Sequence, residues 1–93
     1  MQQKVETIFN RFNKNKDDWK QPFNQALFLN YDTAQSVLIN NQPVPPAIIN
    51  GGFTYPSQFC ISLNVGEVND SSYTFDFQGS ATAQLHVVFT RYI

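Results

Sequence analysis

Two hydrophobic periods run along this chain, and they change near residue 22. Before it, Val5, Ile8, Phe9 and Phe12 recur at i, i+3, i+4 and i+7, the spacing of one helical face, with Lys4, Glu6, Arg11 and Lys14 on other faces. The spacing predicts an amphipathic helix over 3–14, extending toward residue 20, with Pro22 as the stop. From residue 26 the period falls to two. "ALFLNY" sets Leu27, Leu29 and Tyr31 against Phe28 and Asn30. "QFCISLNV" puts Phe59, Ile61, Leu63 and Val65 on one face and Gln58, Cys60, Ser62 and Asn64 on the other. "SYTFDFQ" turns Tyr73, Phe75 and Phe77 inward, and "AQLHVVFTRYI" does the same for Leu85, Val87 and Phe89.

Between the strands the punctuation is specific. Asn40-Asn41 joins Val37–Ile39 to Gln42–Val44 as a type I′ hairpin, since asparagine tolerates the positive φ that both positions require. Pro43, Pro45 and Pro46 lack N–H donors, which makes the second arm a short edge strand. Gly51-Gly52 then lets the chain reverse into Phe53–Pro56, and Gly66–Asp70 and Gly79-Ser80 close further strands. Strands that alternate apolar and polar, with no helix between them, form antiparallel sheet. The expected fold is mainly β: a small antiparallel β-sandwich or flattened barrel of five to six strands over residues 23–93. It is preceded by an N-terminal amphipathic helix or arm over 1–22.

Composition narrows the function. Polarity is carried by ten Asn and nine Gln while only 14% of residues are charged, which suits a neutral surface for another protein better than steering of a charged substrate. Net charge is −1, yet five of the six basic residues (Lys4, Arg11, Lys14, Lys16, Lys20) lie in the first twenty positions, beside three acids. That mixture, with no base-stacking pattern, gives no expectation of a nucleic-acid partner. No run approaches a membrane span and no apolar leader opens the chain, so the expectation is synthesis in a cytoplasm.

Candidate chemistry is thin. One cysteine, Cys60, and one histidine, His86, provide no internal disulfide and too few ligands for a closed zinc site. Both fall on polar strand faces. Glu67, Asp70 and Asp76 lie in or beside a turn without the dense spacing of a calcium loop, and Asn69, Asp70 and Ser71 are turn formers in their own right. No catalytic residue, cofactor or metal is therefore expected, and the protein is read as no enzyme.

Three segments carry a family likeness. "VLINNQPVPP", "NVGEVNDSSYTFDF" and "LHVVFTRYI" resemble the small β-sandwich structural proteins of tailed and icosahedral bacteriophages, over about the last two-thirds of the chain. The resemblance implies a virion component of capsid-decoration, spike-base or fibre-associated type, with itself and other virion proteins as partners. The expected interface comprises Val5, Ile8, Phe9, Phe12, Trp19, Phe53 and Tyr55, with the N-terminal helix packed on its own domain or docked on a neighbour. The alternative is a carbohydrate- or receptor-binding β-sandwich module, whose exposed rings would stack on sugar.

Overall fold

The computed structural model describes residues 5–64 and 66–92. Its strands are β1 (Val5–Phe12), β2 (Lys16–Trp19), β3 (Gln25–Asn30), β4 (Val37–Ile39), β5 (Gln42–Val44), β6 (Ile48–Asn50), β7 (Phe53–Tyr55), β8 (Ser57–Ser62), β9 (Tyr73–Asp76) and β10 (Leu85–Tyr92). All pairings are antiparallel. One sheet has the order β1-β10-β3-β8, a second β2-β9-β4-β5, and β6 and β7 form a two-stranded third.

The two larger sheets share one core. Ala26, Phe28, Leu85, Val87 and Phe89 come from the first; Trp19, Val37, Ile39, Val44 and Phe75 come from the second. Trp19 is the keystone, with ring centroids 5.9 Å from Phe28 and 5.6 Å from Phe89, both edge-on, so it bridges the layers. Edge-to-face contacts of this kind add to the large area an indole buries.

The helix expected over 3–14 is absent among the described residues; residues 3 and 4 lie outside them. Residues 5–12 form an edge strand instead, paired with β10 from Val5↔Tyr92 to Phe12↔Leu85. The reason is arithmetic. A separation of four is near one helical turn but is also even, so Val5/Phe9 and Ile8/Phe12 fit either period. In the strand they are two opposite faces: Ile8 and Phe12 pack on the core, while Val5 and Phe9 face out. The segment expected to form an arm is thus built into both sheets, as β1 in one and β2 in the other.

Trp19 reaches the core through a bulge. Lys16 pairs with Phe75 and Trp19 with Tyr73, so β2 has one residue more than its partner over that interval, and Asp18 takes φ 54°. The extra residue rotates the strand and turns Trp19 inward. The β4–β5 hairpin agrees with its sequence in register, Val37↔Val44 and Ile39↔Gln42, and in turn, with Asn40 at φ 50° and Asn41 at φ 66°. β5 is an edge strand, in keeping with Pro43 at its centre.

Much of the amide content is internal scaffolding. Asn30 is fully buried, and its Nδ2 donates to the carbonyls of Gln35, Val44 and Pro45 while its Oδ1 accepts from the Asp32 N–H. Asn40 Oδ1 accepts from Thr74 N–H, Asn15 Oδ1 from Phe77 N–H, and Asn69 Nδ2 donates to Gln21 and Ser71. These side chains satisfy backbone groups that the short strands leave unpaired.

Candidate docking surface

The segment after β5 builds the most exposed apolar feature among the described residues. Gly51 and Gly52 take φ 61° and 79°, the pair of positive values a type I′ turn needs, and strands β6 and β7 run back to back from it. A Cβ at either glycine would meet nothing within 4 Å, so these positions require the backbone conformation rather than the space. The base is fixed on both sides: Ala47 N–H donates to the Asp32 carbonyl at 2.8 Å, and Ser57 Oγ donates to the Pro46 carbonyl at 2.9 Å. Beyond that base every residue of β6 and β7 is exposed.

The register Ile48↔Tyr55 and Asn50↔Phe53 places Ile48, Asn50, Phe53 and Tyr55 on one hairpin face, with Ile49 and Thr54 on the other. Ile48, Ile49, Phe53 and Tyr55 are 65, 64, 67 and 54% exposed. A lone two-stranded ribbon is marginal in water, and contiguous apolar side chains of this size mark contact surfaces. No charged residue occurs between Asp32 and Glu67, so the hairpin and its flanks are electrically neutral. A neutral apolar ribbon matches a protein surface and offers nothing to a charged ligand.

Of the residues expected at an interface, the structure brings Phe53 and Tyr55 together on this hairpin. Val5 and Phe9 are exposed at a separate place, the outer face of β1. Ile8 and Phe12 are partly buried against the core, and Trp19, only 4% exposed, is a core residue and presents no surface to a partner. Ile48 and Ile49 were not among the expected residues. Their signal was present in "AIINGG", two β-branched residues ahead of an Asn-Gly-Gly turn, but the preceding prolines made the stretch read as loop.

A second group of rings lies on the outer face of the first sheet. His86 has Phe9 edge-on at 5.2 Å and Tyr31 at 4.3 Å between centroids, and its Nε2 is 3.0 Å from Gln84 Nε2. Arg11 sits over the Phe9 ring at 5.4 Å. Burial and the nearby Arg11 charge hold the imidazole pKa below its ordinary value. Arg11 and Gln84 also line a shallow cleft of about 470 Å³ together with Asn13 and Thr82.

The residues with possible reactive chemistry are kept apart. Cys60 is on β8 and His86 on β10, with β3 between them, and their registers on β3 differ by two residues, so roughly 12 Å separates their backbones. Cys60 Sγ has Ser62 Oγ at 3.9 Å. Asp76 Oδ1 accepts from Gln78 N–H at 2.8 Å, a turn bond, and Glu67 and Asp70 are exposed in the loop before β9. No group of three or more His, Cys, Asp or Glu side chains able to hold a metal occurs among the described residues. No helix among them is long and apolar enough to cross a membrane. Comparison with known proteins returns no matching family model, curated sequence or solved structure.

Proposed function

We propose that this chain is a non-enzymatic structural component of a bacteriophage virion, a small β-sandwich that works through contacts with its own copies and with other virion proteins. The β6–β7 hairpin is the observation that carries the contact role: a rigidly based, uncharged ribbon with four large apolar side chains in water. The phage assignment is supported by the likeness of "VLINNQPVPP", "NVGEVNDSSYTFDF" and "LHVVFTRYI" to small phage structural proteins. Synthesis takes place in the host cytoplasm and the product resides in the particle. Mass spectrometry of purified particles from the source tests this: the chain is expected among the stoichiometric proteins, and its absence overturns the reading.

One observation favours a second reading, a glycan- or receptor-binding module. Phe9, Tyr31 and His86 gather on one sheet face beside a cleft with amide and guanidinium donors, the mixture that grips a sugar ring. Under that reading a monomer binds glycan, and Tyr31→Ala abolishes binding while the fold is retained.

A further inference from the structure

Every open sheet has edges, and an unguarded edge pairs with whatever strand it meets. The two larger sheets have four edge strands: β1, β8, β2 and β5. Three of them are blunted. β1 bears Glu6 and Arg11, β2 bears Lys16, Asp17 and Asp18 together with its bulge, and β5 has Pro43 at its centre. β8, "SQFCIS", has no charge, no proline and no bulge against β3.

The ladder fixes which backbone groups of β8 are open. Leu63 N–H donates to the Asn24 carbonyl at 3.0 Å, and the register pairs Ile61 with Ala26 and Phe59 with Phe28. Because the bonding direction alternates along an antiparallel strand, residues 57, 59, 61 and 63 point their N–H and C=O groups at β3. Gln58, Cys60 and Ser62 point theirs away. Among the described residues, no hydrogen bond reaches the backbone of these three, and their side chains are exposed.

We infer that β8 is a self-pairing edge: two copies of this chain join β8 to β8 about a two-fold axis at Cys60, extending the four-stranded sheet across the dimer. The open groups at Gln58, Cys60 and Ser62 set the register of such a self-pair. A two-fold antiparallel pair centred on Cys60 sets Gln58 opposite Ser62 of the other copy and Cys60 opposite Cys60, so all three open residues on each strand bond in narrow pairs. That forms about six backbone hydrogen bonds. A strand without charge meets its own copy with no like-charge repulsion, and an isologous contact closes at two subunits. This inference builds on the proposed assembly role by naming the partner and the strand.

The register places the two Cys60 side chains on the same face with Cα atoms about 5.5 Å apart. A short bis-maleimide, which adds one thiol at each end, is therefore expected to convert the wild-type chain into a covalent dimer. Cys60→Ser removes that product. In the Cys60→Ser background, Gln58→Cys mixed with Ser62→Cys is expected to cross-link, whereas Gln58→Cys alone is not, its thiols lying about four residues apart along the strands, roughly 13 Å. Cys60→Pro deletes an outward donor and none of the N–H groups aimed at β3, so light scattering should read twice the monomer mass for wild type and the monomer mass for this variant. A wild-type monomer, a dimer that Cys60 does not cross-link, or a folded Cys60→Pro dimer each overturns the inference. Should Cys60→Pro not fold, the cross-linking pairs still decide. A Cys60-linked dimer in a chain absent from particles leaves this inference standing and removes the virion reading; incorporation of a chain that never pairs through β8 does the reverse.

Discussion

Thr82 donates its hydroxyl to Asp32 Oδ1 at 2.7 Å, tying the turn after β3 to the loop that leads into β10. Asp32 is 2% exposed, and the same oxygen accepts from the Ala34 N–H at 2.9 Å. Burial alone would raise this carboxyl's pKa, but hydrogen bonds from Ser80, Thr82, Ala34 and Gln35 outweigh it and hold the group below 3.8. The unfolded chain then takes up a proton near 3.8 while the folded chain stays ionised. The stabilisation is present above that pH and is lost as pH falls through the lower, folded value. Thr82→Val removes one charge-assisted bond, with an expected cost of about 1.5–3 kcal/mol at neutral pH. Urea denaturation at neutral pH, and again below pH 3.8, checks it: the gap between variant and wild type should narrow in acid.

His86 titrates in a higher window. Its folded pKa lies below 6.5 through burial and the Arg11 charge, so the unfolded chain protonates first and stability declines as pH drops below 6.5. The chain has one histidine, so a single imidazole resonance reports it. An NMR titration is expected to give a midpoint under 6.5, moving upward in Arg11→Gln. An unmoved midpoint would show that Arg11 has no influence on the ring.

The N-terminal strands belong to the fold. Trp19→Ala empties the space between the sheets and is expected to cost about 3–5 kcal/mol. Deleting residues 1–20 removes β1, β2 and that indole together, so circular dichroism should report loss of the native fold. A folded, merely dissociated product would restore the idea of a detachable arm.

The hairpin should behave in the opposite way. Ile48→Ser and Phe53→Ser replace side chains that touch little of their own domain, and each is expected to change unfolding free energy by no more than about 0.5 kcal/mol. In partner binding the same changes at a buried contact centre are expected to cost about 2 kcal/mol or more. Denaturant titration alongside a binding measurement separates the two effects.

Where the sequence was legible, it was because one period or one turn had a single solution. Asn40-Asn41 fixed a hairpin, and Phe59/Ile61, Tyr73/Phe75 and Leu85/Val87/Phe89 named their faces correctly. The inward position of Val65 lies outside the described residues. Residues 5–12 misled because their four-residue spacings satisfy both helix and strand, and only pairing with β10 decides. Leu27 and Leu29 are half-buried on the outer face while Ala26, Phe28 and Asn30 point inward, because Asn30 is drawn to the core by three carbonyls that local sequence does not reveal. β6 was hidden behind Pro45-Pro46, which stiffen the hairpin's base. The open edge of β8 depended on strand order, which follows from contacts distant in sequence.

The proposed role, docking of the β6–β7 hairpin in a phage particle, is measured most directly by incorporation. Particles assembled with wild-type chain and with the Ile48→Ser/Phe53→Ser double variant, purified and quantified by mass spectrometry, are expected to hold the wild type in fixed stoichiometry and to lack the variant, although both fold. Equal incorporation of the two, or no incorporation of the wild type, would contradict it.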